Sequence, residues 1–323
     1  MPANAQTRKI TPMSDHADLS IIAFPGAPNL PVFAALEQGF FAEQGLTVAF
    51  STTPSSVQQI EAFHAGTFDL AFTAFDNIVA YREGQGAAKL AGTPDFCVLL
   101  GATQIELSAV VAPEIKAPAD LKGKSLALDA VSTGFAFVFY AMLERMGLTT
   151  DDYSRVPVGA TPERWQSVKA GTHAGTITIE PFTSIAAAAG YRALMKSTDV
   201  FDAYQGGVVA ARKGWALENP GRVKAFIRGY LKGLRWTLDP ANRDAAAALL
   251  QTKMPEIKPN VVGAVMASLL SPRSGLTPQG AVLRDGMRTV LDLRSRFGRP
   301  GTALADVDRY LAPSFYEEVM AEG

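Results

Sequence analysis

The 323-residue chain has few of the side chains from which metal and redox centres are usually built. Its single cysteine, Cys97, excludes a disulfide framework, a zinc site with several thiolates and an iron–sulfur cluster. Three histidines, His16, His64 and His173, leave little imidazole for a transition-metal site or a Ser/His/Asp triad. We therefore expect no metal and no bound cofactor.

The chain also lacks an excess of charge of one sign. Thirty basic and 31 acidic residues give a formal net charge of −1, so no basic field would attract nucleic acid. No apolar run approaches the ~18 residues that a membrane span requires, and we expect no direct membrane insertion. At ~150 residues per domain, the length predicts about two domains.

Residues 1–17 are polar and contain no apolar segment of the kind found in secretory signals. The sequence Ala3-Asn4-Ala5, followed by Gln6, nevertheless has the small-x-small form of a signal cleavage site. Two interpretations stay open. The segment is either the remnant of a signal that lay upstream or a disordered cytoplasmic tail.

From Asp18 onward, short apolar runs alternate with turn residues and amphipathic stretches, which is typical of a mainly parallel α/β sheet. The predicted strands are 18–24, 46–50, 68–72, a strand pair within 96–112, 125–129, 154–158, 176–179 and 208–211. The predicted helices between them are 31–44, 55–65, one ending near Gly84, one ending at Met146, 162–170 and 183–189. The expected N-caps are Ser55 or Ser56, Asp76 or Asn77, and Ser132 or Thr133.

After Asn219 the chain is predicted to be entirely helical. Five segments are separated by Pro, Gly and Asp breakers, at 220–238, 241–253, 259–270, 278–297 and 314–322. Such a tail cannot form a sheet, so we expect it to pack on the first half of the chain.

Five segments in a fixed order resemble those of a known family. A turn at 24–31 precedes A-x-x-x-G-F-F-x-x-x-G-L at 35–46, and the others are A-G-x-x-D-L-A-F at 65–72, D-L-K-G-K-S-L-A-L at 120–128 and E-N-P-G-R-V-K-A-F at 218–226. Over residues 18–320 the chain resembles the solute-binding proteins of ABC importers in the sulfonate/nitrate/taurine and thiamine-pyrimidine group.

The resemblance implies the two-lobed α/β clamshell of a type II periplasmic binding protein, with two hinge strands and a helical C-terminal tail. It implies a discontinuous lobe I at 18–107 and 208–323 and a lobe II at 108–207, with crossings near 107–111 and 205–209. It also implies a periplasmic monomer that carries a small-molecule ligand to an ABC permease and its ATPase.

Ligands of open α/β sheets lie beyond the carboxyl ends of the strands, where amides at helix N-termini are unpaired. The predicted turns after the strands therefore supply the candidate ligand-binding residues, and Ser132-Thr133-Gly134 is the best anion site among them. The candidates are Asn29, Thr73, Phe75, Asp76, Gln104, Asp129, Ser132, Thr133, Gly134, Thr161, Glu180 and Phe182.

Each candidate also has a structural interpretation. Asn29, Asp76 and the Ser132–Gly134 turn could simply cap helices, and Phe75, Phe182 and Phe135 could be core residues. No Arg or Lys falls within the turns, and Arg164 and Lys169 are expected on a solvated helix surface. These observations disfavour a dianionic ligand, while a sulfonate, a carboxylate, an aromatic acid or a pyrimidine all remain open.

Two other functions stay open at this point. A cytoplasmic enzyme on the same fold could act on a small aromatic or pyrimidine-type substrate, with Asp129 and Glu180 meeting across a cleft. However, the Cys-rich iron-binding motif of the thiamine-pyrimidine synthases is missing, and Cys97 lies in a predicted buried strand. A sensory ligand-binding module is the third possibility.

Overall fold

A computed structural model describes residues 17–322. The two interpretations of the N-terminal segment concern residues 1–16, which lie outside the described residues, and Ala17. Ten strands form in residues 17–322: β1 Leu19–Ala23, β2 Val48–Thr52, β3 Leu70–Ala74, β4 Phe96–Thr103, β5 Ser108–Val111, β6 Ser125–Leu128, β7 Ser154–Pro157, β8 Gly175–Thr178, β9 Arg192–Lys196 and β10 Gly207–Arg212. The helices are α1 Leu30–Glu37, α2 Ser56–His64, α3 Phe75–Arg82, α4 Gly134–Arg145, α5 Thr161–Lys169, α6 Phe182–Ala188, α7 Lys213–Glu218, α8 Pro220–Leu238, α9 Arg243–Lys253, α10 Pro259–Leu269, α11 Arg284–Phe297 and α12 Ser314–Ala321.

The strands form two five-stranded sheets of the same plan, which confirms the predicted α/β class. The first sheet has the order β2-β1-β3-β10-β4, with β1 parallel to β2 and β3 and with β10 antiparallel to both neighbours. The second has the order β7-β6-β8-β5-β9, with β6 parallel to β7 and β8 and with β5 antiparallel to both neighbours. In each sheet the antiparallel inner strand is the one that follows a strand of the other sheet.

The local sequence explains where several helices begin and end. The Ser55 side chain accepts a hydrogen bond from Gln58 N and Thr133 accepts one from Ala136 N, so both are N-caps as predicted. Gly147, with φ +84°, follows the end of α4. The predicted cap at Asp76 or Asn77 is wrong, because α3 begins one residue earlier at Phe75 and Ala74 holds the N-cap position.

Other predicted boundaries are also corrected by the structure. The helix predicted for 31–44 ends at Glu37, and the one predicted for 278–297 is a short 3-10 turn at Pro278–Gly280 followed separately by α11. Strand β9 and helix α7 were not predicted. Both are short stretches in which charged and apolar residues mix without a sustained period, and β9 is mostly exposed at a sheet edge.

The C-terminal helices pack on both sheets rather than on the first alone. Helix α8 lies along α1, as expected, and is joined there by α12. Helix α10 contacts α6, while α11 packs between α3 and α4. The tail therefore bridges the two halves of the molecule. None of the helices described is long and apolar enough to cross a lipid bilayer.

Candidate functional site

A cavity lies between the two sheets, where the turns after their parallel strands face each other. The space between its wall atoms, including the open solvent at its mouth, amounts to about 780 Å³. One wall comes from the turns after β1 and β3 and from the ends of β4 and β10. The other comes from the turns after β6, β7 and β8. This is where the topology of open parallel sheets places a ligand.

Most of the cavity surface is apolar. The walls are formed by side chains from both sheets, namely Phe24, Phe72, Ile105, Phe135, Ile179 and Val208. Of the three phenylalanines considered from the sequence, Phe75, Phe135 and Phe182, only Phe135 lines the cavity. It is the second residue of α4. Such walls suit a small organic body that a few polar groups hold in one orientation.

Six of the predicted ligand-binding residues lie on the cavity wall. Asn29 and Thr73 belong to the first wall, and Asp129, Thr133, Gly134 and Thr161 belong to the second. Asn29 occupies the N-cap position of α1 without capping it, because its side-chain amide donates to Phe24 O at 2.7 Å. The first amides of α4, at Gly134 and Phe135, have no intrahelical acceptor, and both residues line the cavity.

Arg164 is the cationic side chain of the cavity wall, and the prediction that it lies on a solvated helix surface is wrong. It is 2% exposed, and its guanidinium donates to Thr176 Oγ1 (3.1 Å), Gly159 O (2.7 Å), Thr161 Oγ1 (2.9 Å) and Ile177 O (3.0 Å). Every one of these acceptors is neutral. Burial lowers the pKa of Arg164 to about 10, against the attraction of Asp129 and Glu163, so it stays charged at neutral pH.

Asp129 lies on the wall but is directed toward the other half of the molecule. Its carboxylate accepts a hydrogen bond from Ser56 N, at 3.2 Å to Oδ1 and 3.1 Å to Oδ2, at the first residue of α2. Nearby, Ala160 N donates to Pro54 O at 2.8 Å, and Ala27 N donates to Glu180 O at 3.1 Å. The two halves therefore contact each other directly around the cavity.

The other six predicted residues lie outside the cavity wall. Phe75 is fully buried in the core, with its ring edge-on to Tyr310 at 5.8 Å, and Phe182 packs in a separate cluster with Trp165. Gln104 donates to Pro272 O. Asp76 forms a buried ion pair with Arg294, and the backbone oxygen of Ser132 accepts from the same guanidinium.

Glu180 is the last of these six. Its carboxylate accepts from the backbone and hydroxyl of Ser184, and burial raises its pKa in spite of those bonds. Asp129 and Glu180 therefore do not meet across the cavity. Cys97 is likewise remote from it, in β4, where burial raises the pKa of the thiol to about 12. Within residues 17–322 no cluster of three potential metal ligands occurs.

Sequence reasoning missed three polar residues of the wall, which are Asn77, Thr103 and Arg164. For Arg164 a signal was present. Thr161, Arg164, Trp165 and Val168 are spaced i, i+3, i+4 and i+7, and all four are buried on one face of α5. An arginine on the apolar face of a helix that starts beside the cavity was therefore a candidate.

Comparisons with known proteins agree on the fold. The periplasmic nitrate-binding protein NrtA from Synechocystis PCC 6803 is 12% identical, with a TM-score of 0.77 over 95% of this chain and 89% of that chain. The alkanesulfonate-binding protein SsuA from Xanthomonas axonopodis pv. citri, bound to MOPS, is 17% identical, with a TM-score of 0.68 over 86% of this chain and 92% of that chain.

A third solved structure, a variant of DszB in complex with biphenyl-2-sulfinic acid, is 14% identical, with a TM-score of 0.63 over 94% of this chain and 99% of that chain. No curated protein matches the sequence. The profile of the family described as NMT1/THI5 like matches residues 28–243, about two thirds of the chain. The chain therefore belongs to the NMT1/THI5-like family and has the type II periplasmic-binding-protein fold that its sequence resembles.

Proposed function

We propose that this protein is the solute-binding component of an ABC importer and that it captures a small organic monoanion, such as a sulfonate or a carboxylate. The fold and family support a binding protein, and the proteins of the same fold compared above include a nitrate-binding protein and an alkanesulfonate-binding protein. The observation that carries the choice of ligand class is Arg164, a buried cation on the cavity wall that forms no ion pair with a carboxylate of residues 17–322.

The neutral hydrogen-bond partners of Arg164 favour a negative charge on the ligand. Removing a guanidinium from water costs free energy that hydrogen bonds to neutral oxygens only partly recover. A sulfonate or carboxylate beside Arg164 would supply the missing counter-charge, and the Thr161 hydroxyl and the first amides of α4 would donate hydrogen bonds to it. Asp129 on the same wall would oppose a second negative charge. The aromatic walls would enclose the apolar part of the ligand.

The two sheets are the cores of the proposed lobes, with lobe I at 18–107 and 208–323 and lobe II at 108–207. Residues 104–107 and 197–206, which connect the sheets, would act as the hinge. Capture would follow from closure of the lobes around the ligand, and release from their opening at the permease. The proposed location is the periplasm, and the proposed partners are the permease and ATPase of the importer.

Native mass spectrometry of gently purified protein, followed by thermal unfolding with a ligand panel, tests the proposal. The panel contains alkyl and aryl sulfonates, the matching carboxylates, the matching neutral amides and a pyrimidine. Because a ligand stabilises the folded state by RT ln(1 + [L]/Kd), saturation at about 100 times Kd would add about 2.7 kcal/mol. We expect an acid to raise the Tm and its neutral amide to have little effect.

The same panel identifies the competing functions. A pyrimidine that stabilises the protein as well as any acid would contradict the monoanion class. Chemical conversion of a bound compound, seen as a change in its mass, would instead establish the enzyme. If nothing in the panel raises the Tm and no compound is retained, the importer proposal fails.

A further inference from the structure

Helix α11 begins against the segment that returns the chain from the second sheet to the first. Leu283 N, just before the helix, donates to Gln205 Oε1 at 2.8 Å. A Cβ at Gly286 would come within 2.5 Å of Gln205 N, so only glycine allows this approach. From there α11 extends between α3 of the first half and α4 of the second. One end of the helix is thus fixed at the proposed hinge, while its other end reaches both halves.

At that other end, Arg294 joins residues from both halves through one guanidinium. Its Nε and Nη2 donate to Asp76 Oδ1 and Oδ2, both at 2.6 Å, and Nη2 also donates to Ser132 O at 2.8 Å. The guanidinium carbon lies 4.8 Å from the centre of the Phe137 ring, and the side chains of Arg294 and Asp76 are 0% and 1% exposed. A planar guanidinium can serve these three acceptors together, which an ammonium cannot.

The residues that Arg294 holds are chain neighbours of cavity-lining residues. Asp76 precedes Asn77 on the first wall, and Ser132 precedes Thr133 and Gly134 on the second. The walls also touch here, because a Cβ at Gly134 would lie 2.4 Å from Asp76 Cβ and 2.6 Å from its Cγ. The distance between the two cavity walls is therefore coupled to the contacts of Arg294.

We propose that Arg294 is a positioning residue that holds the two lobes closed, so that α11 acts as a brace across the cleft independently of ligand. The neighbouring contacts between the lobes are backbone hydrogen bonds from Ala27 N to Glu180 O and from Ala160 N to Pro54 O, and a hydrogen bond from Ser56 N to the Asp129 carboxylate. The ion pair with Asp76 lies within lobe I and fixes the Arg294 guanidinium, and its contact with lobe II is the hydrogen bond from Nη2 to Ser132 O together with packing on the Phe137 ring. Opening would therefore remove a charge-assisted hydrogen bond and a cation–π contact from a buried guanidinium. The inference rests on the proposed lobes and hinge, but not on the identity of the ligand.

A distance measurement between the lobes in the ligand-free protein tests this. Spin labels at Glu61→Cys on α2 and Gln166→Cys on α5 occupy exposed positions on helices that start on opposite sides of the cleft. The buried Cys97 thiol should take no label, and the unsubstituted chain checks this. We expect the doubly labelled protein to show one main short distance. Arg294→Lys, which keeps a cation beside Asp76 but cannot also reach Ser132 O, should increase a longer-distance population roughly tenfold.

A second variant and a matched control keep the test decisive. Gly134→Ala leaves Arg294 unchanged but adds a methyl group between the walls that would clash with Asp76, and it should increase the same long-distance population. Arg296→Ala removes an exposed ion pair with Glu144 at the same α11–α4 contact and should leave the distances unchanged. Long distances already dominant in the parent protein would overturn the inference. So would unchanged distances in both Arg294→Lys and Gly134→Ala, even if urea unfolding showed lower stability. Since no ligand is used, failure of the ligand panel would not affect this result.

Discussion

Two buried arginines stand near the same cavity and differ in their partners. Arg294 is paired with the carboxylate of Asp76 and lies behind the wall, whereas Arg164 is on the wall and is bonded to neutral oxygens. Both are less than 3% exposed. The difference indicates that a buried charge with an internal counter-charge maintains the structure, while one without it is available to a ligand.

The largest expected effect is on folding stability and separates the two arginines. Arg294→Met leaves the Asp76 carboxylate buried without its counter-charge, which should lower the free energy of unfolding by about 3–5 kcal/mol. Arg164→Met leaves no buried carboxylate without its counter-charge but deprives neutral acceptors of a donor, so its cost should be smaller, about 1–3 kcal/mol. Urea unfolding of the ligand-free proteins measures both. Equal losses would contradict the distinction.

The next effect is on ligand affinity, where substitution of Arg164 should matter more than substitution of Arg294. For the acid that most raises the Tm, Arg164→Met should weaken binding by at least about 2 kcal/mol, or roughly thirtyfold. Arg164→Lys keeps the charge but loses the forked geometry, and it should recover part of the affinity. Isothermal titration calorimetry of the three proteins gives the values. Full affinity in Arg164→Met would remove Arg164 from the site.

A smaller effect should separate the neighbours Ser132 and Thr133. Thr133 caps α4 and lines the cavity, so Thr133→Ala should cost about 1 kcal/mol of stability and also weaken binding. The part of Ser132 that interacts with Arg294 is its backbone oxygen, which Ser132→Ala retains, and this change should stay within about 0.5 kcal/mol. Thermal unfolding and calorimetry on the matched pair test this, and a larger effect at Ser132 would contradict the assignment.

The smallest effect is expected at the surface of α11. The side chain of Arg296 is 60% exposed in its pair with Glu144, so Arg296→Ala should change stability by no more than about 1 kcal/mol. Arg294 lies two residues away on the same helix. If urea unfolding gave similar losses for Arg296→Ala and Arg294→Met, burial would not be what makes the Arg294 pair important.

Much of the fold could be predicted from residue patterns, because the signals are local. The cap at Thr133 and the glycine after α4 are consequences of backbone chemistry within one turn. The boundary at Asp76 was wrong for a non-local reason. Asp76 followed by Asn77 is typical of a helix N-cap. The Asp76 carboxylate instead accepts hydrogen bonds from Arg294, which lies 218 residues further along the chain.

The sequence predicted which turns line the cavity better than it predicted which side chains face it. The rule that ligands lie beyond the carboxyl ends of parallel strands placed Asn29, Thr73, Asp129, Thr133, Gly134 and Thr161 on the cavity wall. It could not say that Phe75 and Phe182 turn into the core, since that depends on how α3 and α6 pack. Arg164 was missed because composition alone assigns arginine to the surface.

The central claim, that Arg164 recognises a negative charge on the ligand, is tested most directly by comparing an acid with its neutral amide in two proteins. Calorimetric titration of the parent chain and Arg164→Met with both compounds completes a double-mutant cycle. The account predicts that the parent prefers the acid at least roughly thirtyfold and that Arg164→Met binds both compounds about equally. An undiminished preference for the acid in Arg164→Met would contradict it.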